Sequence, residues 1–148
     1  MTFVSGHIIM EIEEGRRERR AMGIYVNPGN ISFQEAINSK IYVDKSGLIP
    51  YTNSVIRTRQ KNLCASRPRR FGKSMAADML VAYYSRGCDS GRLFSGLKAE
   101  EDASFMGHLN RHNVIRWDVQ RFLESKSGYD RFIDDIERMV IRDLKREF

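Results

Sequence analysis

The residues best suited to chemistry lie in one short basic segment, Ser66–Ser74, which ends in Gly72, Lys73 and Ser74. This ending matches the close of the phosphate-binding pattern G-x-x-x-x-G-K-[ST]. In that pattern the glycine admits phosphate to the backbone, the lysine reaches its oxygens and the hydroxyl ligates magnesium. Arg67 stands where the pattern has its first glycine. The segment predicts a degenerate Walker A loop that binds ATP with Mg²⁺.

Pro68 explains how such a loop could tolerate an arginine at position 67. A residue before proline is pushed toward extended conformations, so we expect Arg67 to continue a strand instead of making a glycine-like turn. Guanidinium groups nearby can replace a lost backbone donor. The predicted nucleotide contacts are Arg69, Arg70, Phe71, Gly72, Lys73, Ser74 and Met75. The alternative is a solvated basic turn whose match to the pattern is accidental.

The elements beside the loop are expected to position it. Asn62–Ser66 is a short apolar run typical of a covered strand, and Lys73–Arg86 has helical apolar spacing with Gly87 as a C-terminal cap. Asn113–Val119 predicts a second strand before a final helix. The apolar stripe of that helix is Tyr129, Phe132, Ile133, Ile136, Val140 and Leu144. Alternation of strand and helix predicts an α/β fold with a parallel sheet and flanking helices.

Weaker signals precede the loop. Ser32 and Glu35 have capping-box spacing, which predicts a short helix beginning there. Ile41–Val43 predicts a brief strand, and either Asp44 or Ser46 can cap the helix that follows.

Length and patterning limit the domain organisation. The chain has 148 residues and a mass of 17.2 kDa, which fits one domain and excludes a multidomain assembly. We expect residues 1–22 to be a charged leader, with Met22 a plausible second start, and residues 23–148 to be the compact domain. No run approaches the roughly twenty apolar residues that span a bilayer. A cytoplasmic protein without a membrane partner is therefore expected.

Charge placement favours an anionic partner. The net charge is +6, and no acidic residue occurs between Asp44 and Asp78. The basic residues of that interval are Lys45, Arg57, Arg59, Lys61, Arg67, Arg69, Arg70 and Lys73. The same residues could neutralise nucleic-acid backbone phosphates, which keeps a basic nucleic-acid-binding module as an alternative function. Cys64 and Cys88 lack metal or disulfide spacing and are expected to be free thiols.

Other candidate groups carry weaker signals. Ser74 is the predicted magnesium ligand, and Asp118 is a second candidate because it ends a predicted strand. His108 and His112 lack the glutamate of an H-E-x-x-H motif and are expected at the surface. The aromatic residues expected in the core, rather than stacked on nucleic-acid bases, are Trp117, Tyr83 and Tyr84.

Two ordered motifs, Tyr42–Ile49 and Ser66–Ser74, together resemble a predicted AAA-ATPase-like family of bacterial proteins. Phe94–Leu97 resembles the F-x-G-L segment of the family, and Val114–Asp118 resembles its next strand. The resemblance runs from about residue 23 to the C-terminus, and its loop normally lacks the first glycine. The resemblance implies a P-loop NTPase-like fold and ATPase activity. It also marks Asp44 and Lys45 as a second signature of the family. These two residues either lie beside the nucleotide or are a helix cap and a surface lysine.

The resemblance also implies parts that this sequence does not contain. Family members continue into an acidic Walker B strand of the I-D-E-Y-D type and usually into a C-terminal nuclease-like domain, a route to nucleic-acid partners. The chain is therefore expected to be an N-terminal portion, lacking the Walker B strand and later strands, and a fragmentary gene product. It could bind ATP without hydrolysing it; the alternatives are the nucleic-acid-binding module and a non-functional fragment.

Overall fold

Short helices and turns dominate the computed structural model, which describes residues 2–4, 7–12, 23–118 and 132–148. The strands are β1 (Thr2–Val4), β2 (His7–Ile12) and β3 (Asn113–Arg116). The α-helices are α1 (Ile31–Ile37), α2 (Leu48–Val55), α3 (Lys73–Tyr84), α4 (Phe105–His108) and α5 (Phe132–Glu147). Two 3-10 helices, Gly91–Phe94 and Lys98–Glu101, connect α3 to α4.

The sheet is antiparallel, so the prediction of a P-loop NTPase-like parallel sheet is wrong. Its strand order is β1-β2-β3, with Ile9 opposite Arg116 and Ile12 opposite Asn113. A parallel pairing occurs at the isolated bridge between Ser85 and His112. The physical reason is that β3 takes its partner from residues 7–12, inside the predicted leader, which removes the need for a parallel crossover. Whether residues 1–22 are a separate leader stays a prediction.

Two predicted strands do not form. Ile41–Val43 is irregular, and within Asn62–Ser66 only Cys64 makes a single bridge. The side chains of Ile41 and Val43 are 80% and 62% exposed, and Cys64 is also exposed. A strand inside a parallel sheet needs both faces covered, and the exposed side chains of the two segments do not meet this condition.

Helix boundaries follow the sequence with local corrections. α1 begins after Asn30, and its N-cap makes no side-chain hydrogen bond, so the capping box at Ser32 is wrong. Similarly, α2 has Gly47 at its N-cap, without a side-chain cap from Asp44 or Ser46. α3 ends at Tyr84, two residues earlier than predicted.

Aromatic residues from three elements form the centre of the core. The rings of Phe33 and Phe94 stack with centroids 4.9 Å apart, and Tyr83 packs against Phe94 edge to face at 5.7 Å. Tyr83, Tyr84 and Trp117 are buried, which confirms the expectation that they are core residues. α3 supplies most of this core, and the Ser66–Ser74 loop leads directly into it.

A buried polar network crosses this aromatic core. Asn53 donates from Nδ2 to the hydroxyl of Tyr83, at 2.9 Å, and to Oγ of Ser104, at 2.8 Å. Its Oδ1 accepts a hydrogen bond of 2.6 Å from the hydroxyl of Tyr84. Tyr83 in turn donates to the carbonyl of Phe105. Asn53 therefore ties α2 to α3 and to the start of α4.

The final helix, α5, is held by an acidic side chain rather than by its apolar stripe alone. Asp143 is 1% exposed, and its Oδ2 accepts hydrogen bonds from the backbone amides of Tyr25, at 2.6 Å, and Val26, at 3.3 Å. Ile133, predicted to belong to the buried stripe, is 64% exposed. Tyr129 lies outside the described residues. No helix within the described ranges is long and apolar enough to cross a membrane.

Candidate phosphate-binding loop

The exposed loop before α3 turns sharply at its end. Gly72 is the N-cap of α3 and adopts the left-handed conformation, with φ 71° and ψ 32°. Arg70 also has a positive φ, 67°, which costs a non-glycine residue about 1 kcal/mol. Arg67 does not belong to the residues with positive φ, in agreement with its position before Pro68, although it continues no strand. The strained position is therefore Arg70 and not Arg67.

Lys73 folds back over the loop instead of extending into solvent. Its Nζ donates to the carbonyl oxygens of Arg67, at 2.5 Å, and Pro68, at 3.1 Å. An ammonium group has three donors, so these two contacts leave one N–H and the full positive charge at the loop. The ammonium group of Lys73 thus links the end of the loop to the carbonyl groups of Arg67 and Pro68 at its start.

The first turn of α3 presents backbone donors beside this lysine. The first intrahelical bond runs from the amide of Ala76 to the carbonyl of Gly72, 3.0 Å away. The preceding amides, those of Lys73, Ser74 and Met75, have no intrahelical acceptor, and Gly72 provides no side-chain cap. No acidic residue occurs in the first turn. The helix therefore begins with the donor pattern and partial positive charge that suit an anion.

The arginines of the loop are exposed at its surface. Arg69, Arg70 and Phe71 are solvent-exposed, with Phe71 61% accessible. Ser74 is exposed as well, and Met75 is half-buried against the protein. The predicted contact residues thus form one continuous stretch of loop and helix start, with the charged members facing solvent.

A second lysine reaches the loop from a distant part of the sequence. Lys45 donates from Nζ to the carbonyl oxygen of Phe71, at 2.7 Å. The preceding Asp44 is fixed by two backbone amides: its Oδ1 accepts from Ser46, at 2.7 Å, and its Oδ2 from Lys98, at 3.0 Å. In the sequence, only the family resemblance indicated a place for Lys45 beside the nucleotide, because 26 residues separate Lys45 from Phe71.

Asp44 should contribute a pH-dependent stability. Partial burial raises the pKa of its carboxyl group, but hydrogen bonds from Lys98 and Ser46 outweigh this effect and hold the pKa below the ordinary 3.8. A lowered pKa in the folded state stabilises the protein above about pH 4, and this contribution is lost as the pH falls through the folded-state value. We expect Asp44→Asn to cost about 1 kcal/mol at neutral pH.

The measurement is urea unfolding of parent and variant across the acid range. The difference in unfolding free energy should shrink as the pH falls below the ordinary carboxyl value of 3.8 and through the lower folded-state pKa, where the parent carboxylate becomes protonated. A difference that is constant with pH would show that Asp44 acts through its shape and not its charge.

Asp118 follows the end of β3 by two residues. Arg116, the last residue of β3, pairs with Asp78 of α3, with Nη2 and Oδ1 2.5 Å apart. The end of β3 is therefore attached to α3 two residues before Asp118.

The histidines differ from their prediction as surface residues. His112 is 8% exposed, and its Nε2 lies 2.9 Å from Nδ1 of His108 in a stacked pair. No group of three or more potential metal-ligating His, Cys, Asp or Glu side chains occurs in the described portion. Cys64 and Cys88 are both free thiols, as expected.

Comparison with known proteins identifies the family through its sequence model. The model of a family described as "Predicted AAA-ATPase" matches residues 29–147, which includes Lys45, the loop and α5. Comparisons with curated proteins and with solved structures gave no match. Because the match covers most of the 148 residues, the chain belongs to the AAA-ATPase-like family.

Proposed function

We propose that this chain binds ATP, with Mg²⁺, at the Ser66–Ser74 loop. The observation that carries the proposal is the start of α3: a left-handed glycine, uncapped amides at Lys73–Met75 and the ammonium group of Lys73 converge there, without an acidic residue in the first turn. Membership of a family described as predicted AAA-ATPases supports a nucleotide as the anion. The proposal concerns binding and does not depend on a parallel sheet.

The basic and hydroxyl side chains near the end of the loop have separate parts in nucleotide binding. The amides at the start of α3 and the remaining N–H of Lys73 would hold phosphate oxygens, because the first turn of α3 contains no acidic residue to compete for them. Arg69 and Arg70 would offer guanidinium forks to the outer phosphates. Ser74 and Asp118 would supply oxygen ligands to Mg²⁺, which prefers oxygen donors and phosphate groups. The bound ion would neutralise part of the phosphate charge.

Lys73→Met should abolish most of the stabilisation by ATP. A ligand at about 100 times its Kd stabilises the folded state by about 2.7 kcal/mol, and a 100-fold weaker affinity reduces this to less than about 0.5 kcal/mol. The methionine keeps most of the side-chain length but removes the charge and all three donors. Thermal unfolding of parent and variant, each with and without MgATP, measures the difference.

Lys40→Met is the matched control, because Lys40 is exposed and makes no contact with the loop in the described hydrogen bonds. It should retain the full ATP-dependent shift of the unfolding midpoint. The alternative, a basic nucleic-acid-binding module, predicts no ATP shift in any variant and a DNA affinity that falls steeply with salt. Loss of one lysine would then lower that salt dependence only slightly.

A further inference from the structure

The backbone around Lys45 is fixed on both sides, which gives its side chain a defined direction. Asp44 accepts a hydrogen bond from the amide of Lys98, and the buried Ser46 accepts one at Oγ from the amide of Ala99, each 3.0 Å long. Lys45 therefore projects from a segment anchored to the 3-10 helix Lys98–Glu101. A flexible surface lysine would lose more side-chain entropy on binding a ligand than this one does.

The ammonium group of Lys45 lies directly against Gly72. A Cβ atom built on Gly72 would be 2.8 Å from Nζ and 3.1 Å from Cε of Lys45. Its contact with the carbonyl of Phe71 uses one of three N–H donors. Two donors and the positive charge thus remain next to the turn that opens α3. Within the described residues, no carboxylate forms an ion pair with Lys45.

The two lysines hold opposite ends of the loop. Lys73 contacts the carbonyls of Arg67 and Pro68, where the loop begins, while Lys45 contacts the carbonyl of Phe71, where it ends. Two cations separated along one loop match a ligand whose negative charge is also spread along a chain. A single phosphate group can engage one of them closely, whereas linked phosphates can engage both.

We propose that Lys45 is a second phosphate-binding residue of this loop and makes the site selective for nucleoside di- and triphosphates over monophosphates. This inference rests on the proposed nucleotide-binding function and adds to it the ligand class that the site prefers. Lys73 and the helix amides serve any phosphate at the start of α3. Lys45 acts on the adjoining phosphate, so its contribution depends on the length of the phosphate chain.

Lys45→Gln separates this role from that of a structural support for the loop. Glutamine retains an N–H donor that can reach toward the carbonyl of Phe71, but it carries no charge. If Lys45 binds phosphate, the variant should lose about tenfold or more in affinity for MgATP and less than about threefold for AMP, because a charged hydrogen bond is lost only with the longer chain. Lys40→Gln, an equal change of charge at an exposed site, should alter either affinity less than twofold.

The experiment is isothermal titration of MgATP, MgADP, AMP and inorganic triphosphate into the parent chain and both variants. Inorganic triphosphate should show the same loss as MgATP, since the effect belongs to the phosphate chain and not to the base. Equal losses for ATP and AMP in Lys45→Gln, or no loss for either, would overturn the role of Lys45 while leaving nucleotide binding intact. Failure of the parent to bind any of these ligands would instead overturn the proposed function, and this inference with it.

Gly72→Ala gives an independent measurement through a double-mutant cycle. The added Cβ displaces the end of the Lys45 side chain and strains the positive φ of residue 72. If Lys45 binds phosphate beside Gly72, the loss of ATP affinity caused by Gly72→Ala should be several-fold smaller in a Lys45→Ala background. Additive losses in affinity would show that the two residues act independently and would contradict the proposal.

Discussion

Asp143→Ala is expected to lower the free energy of unfolding by about 3 kcal/mol, because it leaves two backbone amides without their acceptor. Those amides belong to Tyr25 and Val26, and Val26 is fully buried. Water cannot easily replace the carboxylate where Asp143 itself is 1% exposed. Equilibrium urea unfolding, with the slope checked for a two-state transition, measures the loss.

Asp134→Ala provides the control on the same helix. Asp134 is exposed in the first turn of α5, so its removal should change the unfolding free energy by less than about 0.5 kcal/mol. Similar losses for the two variants would mean that the buried hydrogen bonds of Asp143 contribute no more than the charge of an exposed carboxylate. If the Asp143→Ala variant still binds ATP, then nucleotide binding at the loop does not depend on the hydrogen bonds that attach α5 to Tyr25 and Val26.

Asn53→Ala is the second change with a large expected effect, again about 3 kcal/mol. It removes three hydrogen bonds at once and leaves the hydroxyl groups of Tyr83 and Tyr84 with fewer partners in a buried part of the core. Tyr83 retains its hydrogen bond to the carbonyl of Phe105, so the contact between α2 and α3 should weaken more than the contact between α3 and α4. Urea unfolding followed by tyrosine fluorescence reports the change.

Asn62→Ala is the matched control for this prediction, because Asn62 is an exposed asparagine outside any helix. It should leave the unfolding midpoint nearly unchanged. A loss below about 1 kcal/mol for Asn53→Ala would indicate that water enters the cavity and satisfies the orphaned hydroxyl groups. That outcome would contradict a tightly closed core at this position.

Local patterns predicted the helices better than the strands, for a physical reason. α3 and α5 have long apolar repeats whose spacing fixes a helix without knowledge of its neighbours. Asn62–Ser66 offered only a short apolar run, and such a run becomes a strand only if a partner completes its hydrogen bonds. The partner of β3 came from residues 7–12, where the charged surroundings had indicated a leader. Pairing over that sequence distance is not encoded in either segment alone.

The loop shows the same division between local and distant information. The turn at Gly72 and the start of α3 at Lys73 followed from the sequence motif, whereas the approach of Lys45 depends on the attachment of Asp44 and Ser46 to the distant 3-10 helix Lys98–Glu101. The buried polar residues did leave a signal. Asn53 occupies the face of α2 shared by Ile49, and Asp143 interrupts the apolar spacing of α5 beside Val140. A polar residue inside an apolar stripe indicates a buried hydrogen-bond partner.

The attachment of α5 to Tyr25 also has a consequence for synthesis of the chain. The hydrogen bond from Tyr25 to Asp143 joins residues 118 positions apart. At about 5–20 residues per second, a ribosome needs about 6–24 s to pass from one to the other. During that interval the carboxylate of Asp143 has not yet been synthesised, so its hydrogen bonds with the amides of Tyr25 and Val26 cannot form. The contact between Tyr25 and α5 therefore forms only after Asp143 has left the ribosome.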